Sequence, residues 1–290
     1  MRIAFLGTPA AAVPALRALV GAGHDVAVVI TRPDRRRGRG PDVVASPVKR
    51  AALDLGLRVE HSLSAIEGSE AERGVVVAYG AIIPSTLLDQ VPMLNVHFSL
   101  LPRWRGAAPV ERAILAGDYE TGVCVMSLEP ELDTGPIHLA LRTDVAQKTA
   151  SELTDELATM GATAIVQVLD SRDLLANPRA QSGEVTYAEK LTKESFHLQP
   201  RMTTQELSRT VRLGRAFTFI EQRRLRVDTV GLSRNSLRAG EVAMIDGDIL
   251  MGCADGAVVL GRVQPEGSRP MSALAWWGGA RFSSNSPRWT

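Results

Sequence analysis

Cysteine is nearly missing from this chain: of 290 residues only Cys124 and Cys253 are thiols. They lie far apart and outside any metal-ligand spacing, which excludes a disulfide framework and a thiolate zinc site and leaves two buried thiols as the expectation. The histidines His24, His61, His138 and His197 form no recognisable ligand cluster, so no metal is expected. No apolar run reaches the roughly 18 residues needed to span a bilayer, so no membrane partner is expected. Met1-Arg2 leads directly into a short apolar segment without the long hydrophobic stretch of a signal peptide, which makes the cytoplasm the expected compartment. A Gly-x-Gly-x-x-Gly turn is also lacking, and with it the backbone cradle for a dinucleotide pyrophosphate. The formal net charge is only +1, which by itself predicts no polyanionic partner.

What is present is an ordinary globular composition, 45% hydrophobic and 22% charged, in a chain long enough for two domains. Apolar runs at 3–6, 26–30, 75–78 and 94–98 read as strands buried on both faces, with helical stretches at 11–20 and 48–55 between them. Ser46 is placed to cap the second helix, with Pro47 in its first turn. Two more strands, 123–127 and 137–143, flank a turn at Asp133, and a long helix is expected over 149–175 with an interruption at Gly161. This βαβα order predicts an α/β domain over 1–176, built on an open, doubly wound, mostly parallel sheet whose ligands bind beyond the strands' carboxyl ends. A polar connector follows over 177–200, and a second domain over 201–290. There, a helix over 203–212 with Thr204 as cap precedes strand candidates at 224–230, 241–245, 249–252 and 258–263. Asp246-Gly247 and Asp255-Gly256 are expected as hairpin turns, and short strands of this kind suggest a small barrel.

Three residue types stand out against this frame. Asn95 and His97 are two apart on the expected fourth strand, so both side chains leave one face. Asp133 sits in Leu132-Asp133-Thr134-Gly135. An amide, an imidazole and a carboxylate can run acyl transfer without a metal or a covalent intermediate. The amide and imidazole stabilise the developing oxyanion, and the carboxylate orients the imidazole and assists proton removal. Taken singly, each residue has a plainer reading: a turn cap, a satisfied core histidine, and the start of a glycine turn.

Charge is unevenly spread. Residues 201–290 hold 13 arginines, no lysine and 8 acidic residues, a net of +5 that leaves −4 on the rest. Denser still is Arg32-Pro33-Asp34-Arg35-Arg36-Arg37-Gly38-Arg39-Gly40-Pro41, where Pro and Gly deny regular structure and five arginines face one aspartate. A phosphate backbone would relieve that repulsion, although a solvated loop and ordinary surface pairs remain open.

The stretches Arg2-Ile3-Ala4-Phe5-Leu6-Gly7-Thr8-Pro9, Thr31-Arg32-Pro33-Asp34, Ser46-Pro47-Val48-Lys49 and Val77-Ala78-Tyr79-Gly80, with residues 95–109 and 132–135 and Tyr187-Ala188-Glu189-Lys190-Leu191, closely resemble the folate-dependent formyltransferases, and among them the group acting on methionyl-tRNA. The resemblance covers most of 1–194. It implies a Rossmann-like catalytic domain followed by an OB-like barrel, with Asn95, His97 and Asp133 as the catalytic trio. It further implies Ser99, Leu100, Leu101 and Pro102 lying against the folate, 10-formyltetrahydrofolate as donor and the α-amine of initiator methionyl-tRNA as acceptor. By the same resemblance Arg32, Arg35, Arg36, Arg37 and Arg39 would reach the tRNA acceptor arm; a monomer is the expected state. Phe98, where relatives carry a smaller residue, would narrow the folate site. Two alternatives stay open: a formyltransferase of amino-sugar nucleotides or other small amines, against which the basic loop counts, and a tRNA-binding relative that no longer catalyses, against which the intact trio counts.

Overall fold

The computed structural model describes residues 1–36, 43–283 and 287–290. The chain divides into two compact units, one of Met1–Val110, Tyr119–Asp144 and Leu153–Glu189, the other of Glu111–Asp118, Val145–Glu152 and Lys190–Thr290.

The first unit is built on seven strands: β1 (Arg2–Gly7), β2 (Asp25–Ile30), β3 (Val59–Glu60), β4 (Arg73–Val77), β5 (Met93–His97), β6 (Glu120–Ser127) and β7 (Ile137–Asp144). Their spatial order is β7-β6-β5-β4-β1-β2-β3. The five strands from β5 to β3 run parallel, and β6 and β7 run antiparallel at one edge. This is the open, mostly parallel sheet that the alternating pattern predicts. The central strands are continuous apolar runs because helices cover both of their faces. On one side Phe5, Val75, Leu94, Val96 and Val123 pack with the helices Val13–Gly21 and Ala150–Asp170; on the other Leu6, Val76 and Met93 pack with Tyr79, Ile83 and Leu87.

Several expectations are corrected. The long helix runs unbroken through Gly161 from Ala150 to Asp170 and breaks instead at Ser171, whose side chain caps the next helix, Arg172–Ala176, by accepting from Leu174 N–H. Gly161 is there for space: a Cβ at this position would lie 2.6 Å from Val96 Cγ1. The basic loop is not wholly irregular, since Arg35–Arg36 pairs antiparallel with Val43–Val44 as a short ladder. Arg37 and Arg39 lie outside the described residues. Ser46 does cap the helix Pro47–Asp54, accepting from Lys49 N–H at 3.0 Å.

In the second unit the helix Thr204–Arg212 is capped one residue earlier than expected, by Thr203, in a reciprocal capping box with Glu206. The expected strand over 224–230 is two strands in different sheets, Arg223–Val227 and Val230–Leu232. Two four-stranded antiparallel sheets result. They share one core, into which Trp289 inserts at 1% exposure while its indole N–H donates to the Gly252 carbonyl. Asp246 and Gly247 form the two-residue turn between Val242–Ile245 and Asp248–Cys253, both in the left-handed conformation of a type I′ hairpin. The other hairpin turns on Ala254-Asp255, with Gly256 already in the strand opposite Cys253. Among the described residues no helix is long and apolar enough to cross a membrane.

Candidate active site

Strand β5 sets the geometry. Val96 and Phe98 point to the face covered by the helix Ala150–Asp170, where both approach Gly161. Alternation therefore turns Asn95 and His97 to the opposite face. Phe98 packs against the core on the helix side, so it does not crowd the face that carries Asn95 and His97. Asn95 is half-buried, and among the described residues its side-chain amide has no hydrogen-bond partner.

His97 is held at one end of its ring and faces a carboxylate at the other. Nε2 lies 2.9 Å from the Trp104 carbonyl oxygen, and a carbonyl only accepts, so Nε2 carries a proton. Nδ1 then faces Asp133, whose Oδ2 is 3.6 Å away, with the two side chains only 6% and 10% exposed. Asp133 Oδ2 also accepts from Gly106 N–H at 2.8 Å. The backbone of Asp133 is left-handed (φ 51°), as is that of Trp104 (φ 63°). Such a conformation is tolerated by aspartate but strained for a bulky side chain, at a cost of about 1–3 kcal/mol that surrounding contacts must offset.

Those contacts come from residues 179–188, within the stretch expected as a connector. Arg179 exchanges two backbone hydrogen bonds with Ile137. Gln181 Nε2 donates to the carbonyls of Asp133 (2.8 Å) and Gly135 (2.9 Å), and its Oε1 accepts from Arg105 Nε and Nη2. Thr186 Oγ1 accepts from Trp104 N–H at 2.9 Å, and Tyr187–Ala188 pairs in parallel with Arg105–Gly106. Gly106 must be glycine for this approach: its φ is 123°, and a Cβ would lie 2.8 Å from the Ala188 carbonyl oxygen. The Tyr187-Ala188 stretch stands out in the sequence only as a family match, and nothing in the sequence singles out Gln181 or Thr186.

The turn after β5 is held by its own Ser99, by β6 and by Thr186. Ser99 is fully buried, with its hydroxyl donating to the Arg103 carbonyl at 2.6 Å. Leu101 packs with Cys124 and Met126. Leu100 lies against Gly122, where a Cβ would come within 2.6 Å of it, and the Pro102 carbonyl accepts from Thr186 N–H. Arg32 sits apart from these residues, beyond β2, where its N–H meets Thr8 Oγ1 at 3.5 Å. Burial pushes the Cys124 thiol up to about 11, so it stays protonated and is no nucleophile. Among the described residues no group of three or more His, Cys, Asp or Glu side chains converges as a metal site would require.

Comparison with known proteins completes the picture. Residues 1–169 match the model of the family described as formyl transferase, and residues 190–281 that of the formyl transferase C-terminal domain. The chain is 44% identical over 291 residues to the methionyl-tRNA formyltransferase of Rhizorhabdus wittichii, spanning 94% of this chain and 93% of that one. With the methionyl-tRNA formyltransferase of Jannaschia sp. it shares 42% over 300 residues, 98% of both chains. Its fold resembles the crystal structure of HypX from Aquifex aeolicus in complex with tetrahydrofolic acid, with a TM-score of 0.63 at 16% identity over 96% of this chain and 47% of that one. With two family models covering most of its length and relatives above 40% identity along nearly all of it, this chain belongs to the formyl transferase family.

Proposed function

We propose that this enzyme transfers the formyl group of 10-formyltetrahydrofolate to the α-amine of methionyl-tRNA, the initiator species, in the cytoplasm where translation starts. The observation that carries the chemistry is the shielded His97–Asp133 pair, which shares β5 with an Asn95 amide that has no hydrogen-bond partner among the described residues. The identity of the acceptor rests on relatives of the same length and above 40% identity that bear that name.

In this reading the amine attacks the formyl carbon, the carbonyl oxygen becomes an oxyanion, and the carbon's bond to the folate nitrogen breaks. Asn95 donates to the oxyanion; a fixed donor of this kind is worth roughly 3–4 kcal/mol of barrier. His97 works through Nδ1, because Nε2 is engaged by Trp104. Nδ1 and Asp133 together take the proton shed by the attacking nitrogen and return it to the departing tetrahydrofolate. The low exposure of both side chains strengthens their interaction by excluding water. The Ser99 hydroxyl is spent on the turn and the Leu101 side chain packs on β6, so the folate would meet these two residues chiefly through main-chain atoms. The arginines at 32, 35, 36, 37 and 39 supply cationic contacts to the acceptor arm.

The deciding experiment offers purified protein 10-formyltetrahydrofolate with charged initiator tRNA, free methionine and amino-sugar nucleotides in parallel. Formyl-methionyl-tRNA is the expected product. Preference for a small amine would overturn the acceptor, and tRNA binding without turnover with any acceptor would overturn the enzyme.

A further inference from the structure

We infer that Gln181 and Thr186 are positioning residues for the formyl transfer: from one short segment they hold the two partners that keep the His97 imidazole in place, the Asp133 loop and the Trp104 carbonyl. The inference rests on the catalytic reading of His97 and Asp133 and extends it to residues that touch neither substrate.

The geometry is specific. Gln181 is used at both ends of its amide, with two donated bonds to the Asp133 and Gly135 carbonyls and two accepted from the Arg105 guanidinium. A carboxamide is the one ordinary side chain of this length that can donate to carbonyls while accepting from a guanidinium. It thereby ties the left-handed Asp133 turn to Arg105, whose neighbour Gly106 donates to Asp133 Oδ2. Five residues on, the Thr186 hydroxyl accepts from Trp104 N–H and the Thr186 carbonyl accepts from Arg105 N–H. These bonds brace the strained Trp104 peptide whose carbonyl receives His97 Nε2–H. A ring gripped at Nε2 and faced at Nδ1 has little freedom to tilt. Releasing either grip lets Nδ1 and Asp133 Oδ2 drift from their 3.6 Å approach, and a misplacement of about 1 Å costs catalysis on the order of 100-fold.

The test uses the full-length enzyme with 10-formyltetrahydrofolate and methionyl-tRNA. Gln181→Met removes both functions of the amide, Gln181→Glu keeps the acceptor for Arg105 but loses the donor, Thr186→Val removes the hydroxyl, and Thr186→Ser restores it. Expected for the first three is a fall in kcat of about 10- to 100-fold with KM for both substrates changed less than about twofold, and a displaced pH–kcat profile. Thr186→Ser is expected to return to near wild-type behaviour. In an Asp133→Asn background, Gln181→Met is expected to add less than about twofold, because its effect runs through the residue already altered. Wild-type kcat and pH profile in Gln181→Met and Thr186→Val would overturn the inference, as would a full additional loss in the Asp133→Asn background or a loss of activity that only tracks a lower Tm. Full activity of Asp133→Asn itself would refute the catalytic reading of Asp133, an outcome read without any change at Gln181 or Thr186.

Discussion

Nδ1 of His97 and Oδ2 of Asp133 stand 3.6 Å apart, just beyond hydrogen-bond length, with the same oxygen held at 2.8 Å by the Gly106 N–H. Closing that gap to hydrogen-bond length needs only a few tenths of an ångström. His97→Ala and Asp133→Asn are each expected to lower single-turnover formylation by roughly 10²- to 10⁴-fold, and Asn95→Ala by roughly 10²- to 10³-fold. Wild-type rates in any of the three would remove that residue from the mechanism.

The basic loop should reveal itself through salt. Replacing Arg35, Arg36 and Arg37 by alanine is expected to weaken tRNA binding and to reduce the slope of log K against log salt by about 2–3, from a slope contribution near 0.7–0.9 per phosphate neutralised. Equilibrium binding across a salt series checks this, and an unchanged slope would place the loop off the RNA.

Gly161 tests the close approach of helix and sheet. Alanine is the better helix former by about 1 kcal/mol, yet its Cβ would fall 2.6 Å from Val96 Cγ1. Overpacking of a filled core costs about 1–3 kcal/mol, so Gly161→Ala is expected to lower stability on balance. A raised denaturation midpoint would show that the sheet yields easily there.

Trp289, one residue before the last, fills the core of the second unit. Trp289→Ala is expected to cost about 3–5 kcal/mol, as deletion of a buried aromatic does, and it also leaves the Gly252 carbonyl without its indole donor. A denaturant melt followed by tryptophan fluorescence would measure the loss, and a melt unchanged from wild type would contradict the packing.

Acid should act through His138. Its Nδ1–H donates to the Leu174 carbonyl and its Nε2 accepts from the Ser127 hydroxyl, an arrangement that suits the neutral ring. Burial, and to a lesser degree Arg73, push its pKa below the ordinary 6.5, against the opposing pull of the Leu174 bond. With the folded value depressed, the unfolded chain binds the extra proton first. The stability this group contributes is therefore complete above about pH 6.5 and declines as pH falls below it toward the folded value. Stability measured from pH 7.5 to 5 is expected to fall less steeply in His138→Gln than in wild type, and parallel curves would disprove the role.

Strands β1, β2, β4 and β5 were legible because buried parallel strands are short apolar runs, and the helix Pro47–Asp54 because Ser46-Pro47 is a local start signal. That Asn95 and His97 share a face was legible from their spacing, since positions two apart on a strand do so whatever the fold. Gly161 misled as a helix interruption because a glycine that makes room for a neighbour and one that ends a helix look alike in one dimension. Thr203 and Thr204 are adjacent, and only the Glu206 hydrogen bonds decide which of them caps. The wide strand expected over 224–230 hid a change of sheet, to which periodicity is blind.

By itself, then, the chain's order of residues determined the βαβα frame, that Asn95 and His97 emerge on one common face of β5, and the chemistry an amide, an imidazole and a carboxylate can perform. Tertiary structure alone decided that Gln181 braces the Asp133 turn and that Thr186 braces the Trp104 peptide, whose carbonyl accepts the hydrogen bond from His97 Nε2–H. The difference is physical: the first set depends on repeat distances along one segment, whereas the second joins residues 48 and 82 positions apart, whose contacts exist only once the chain has closed on itself.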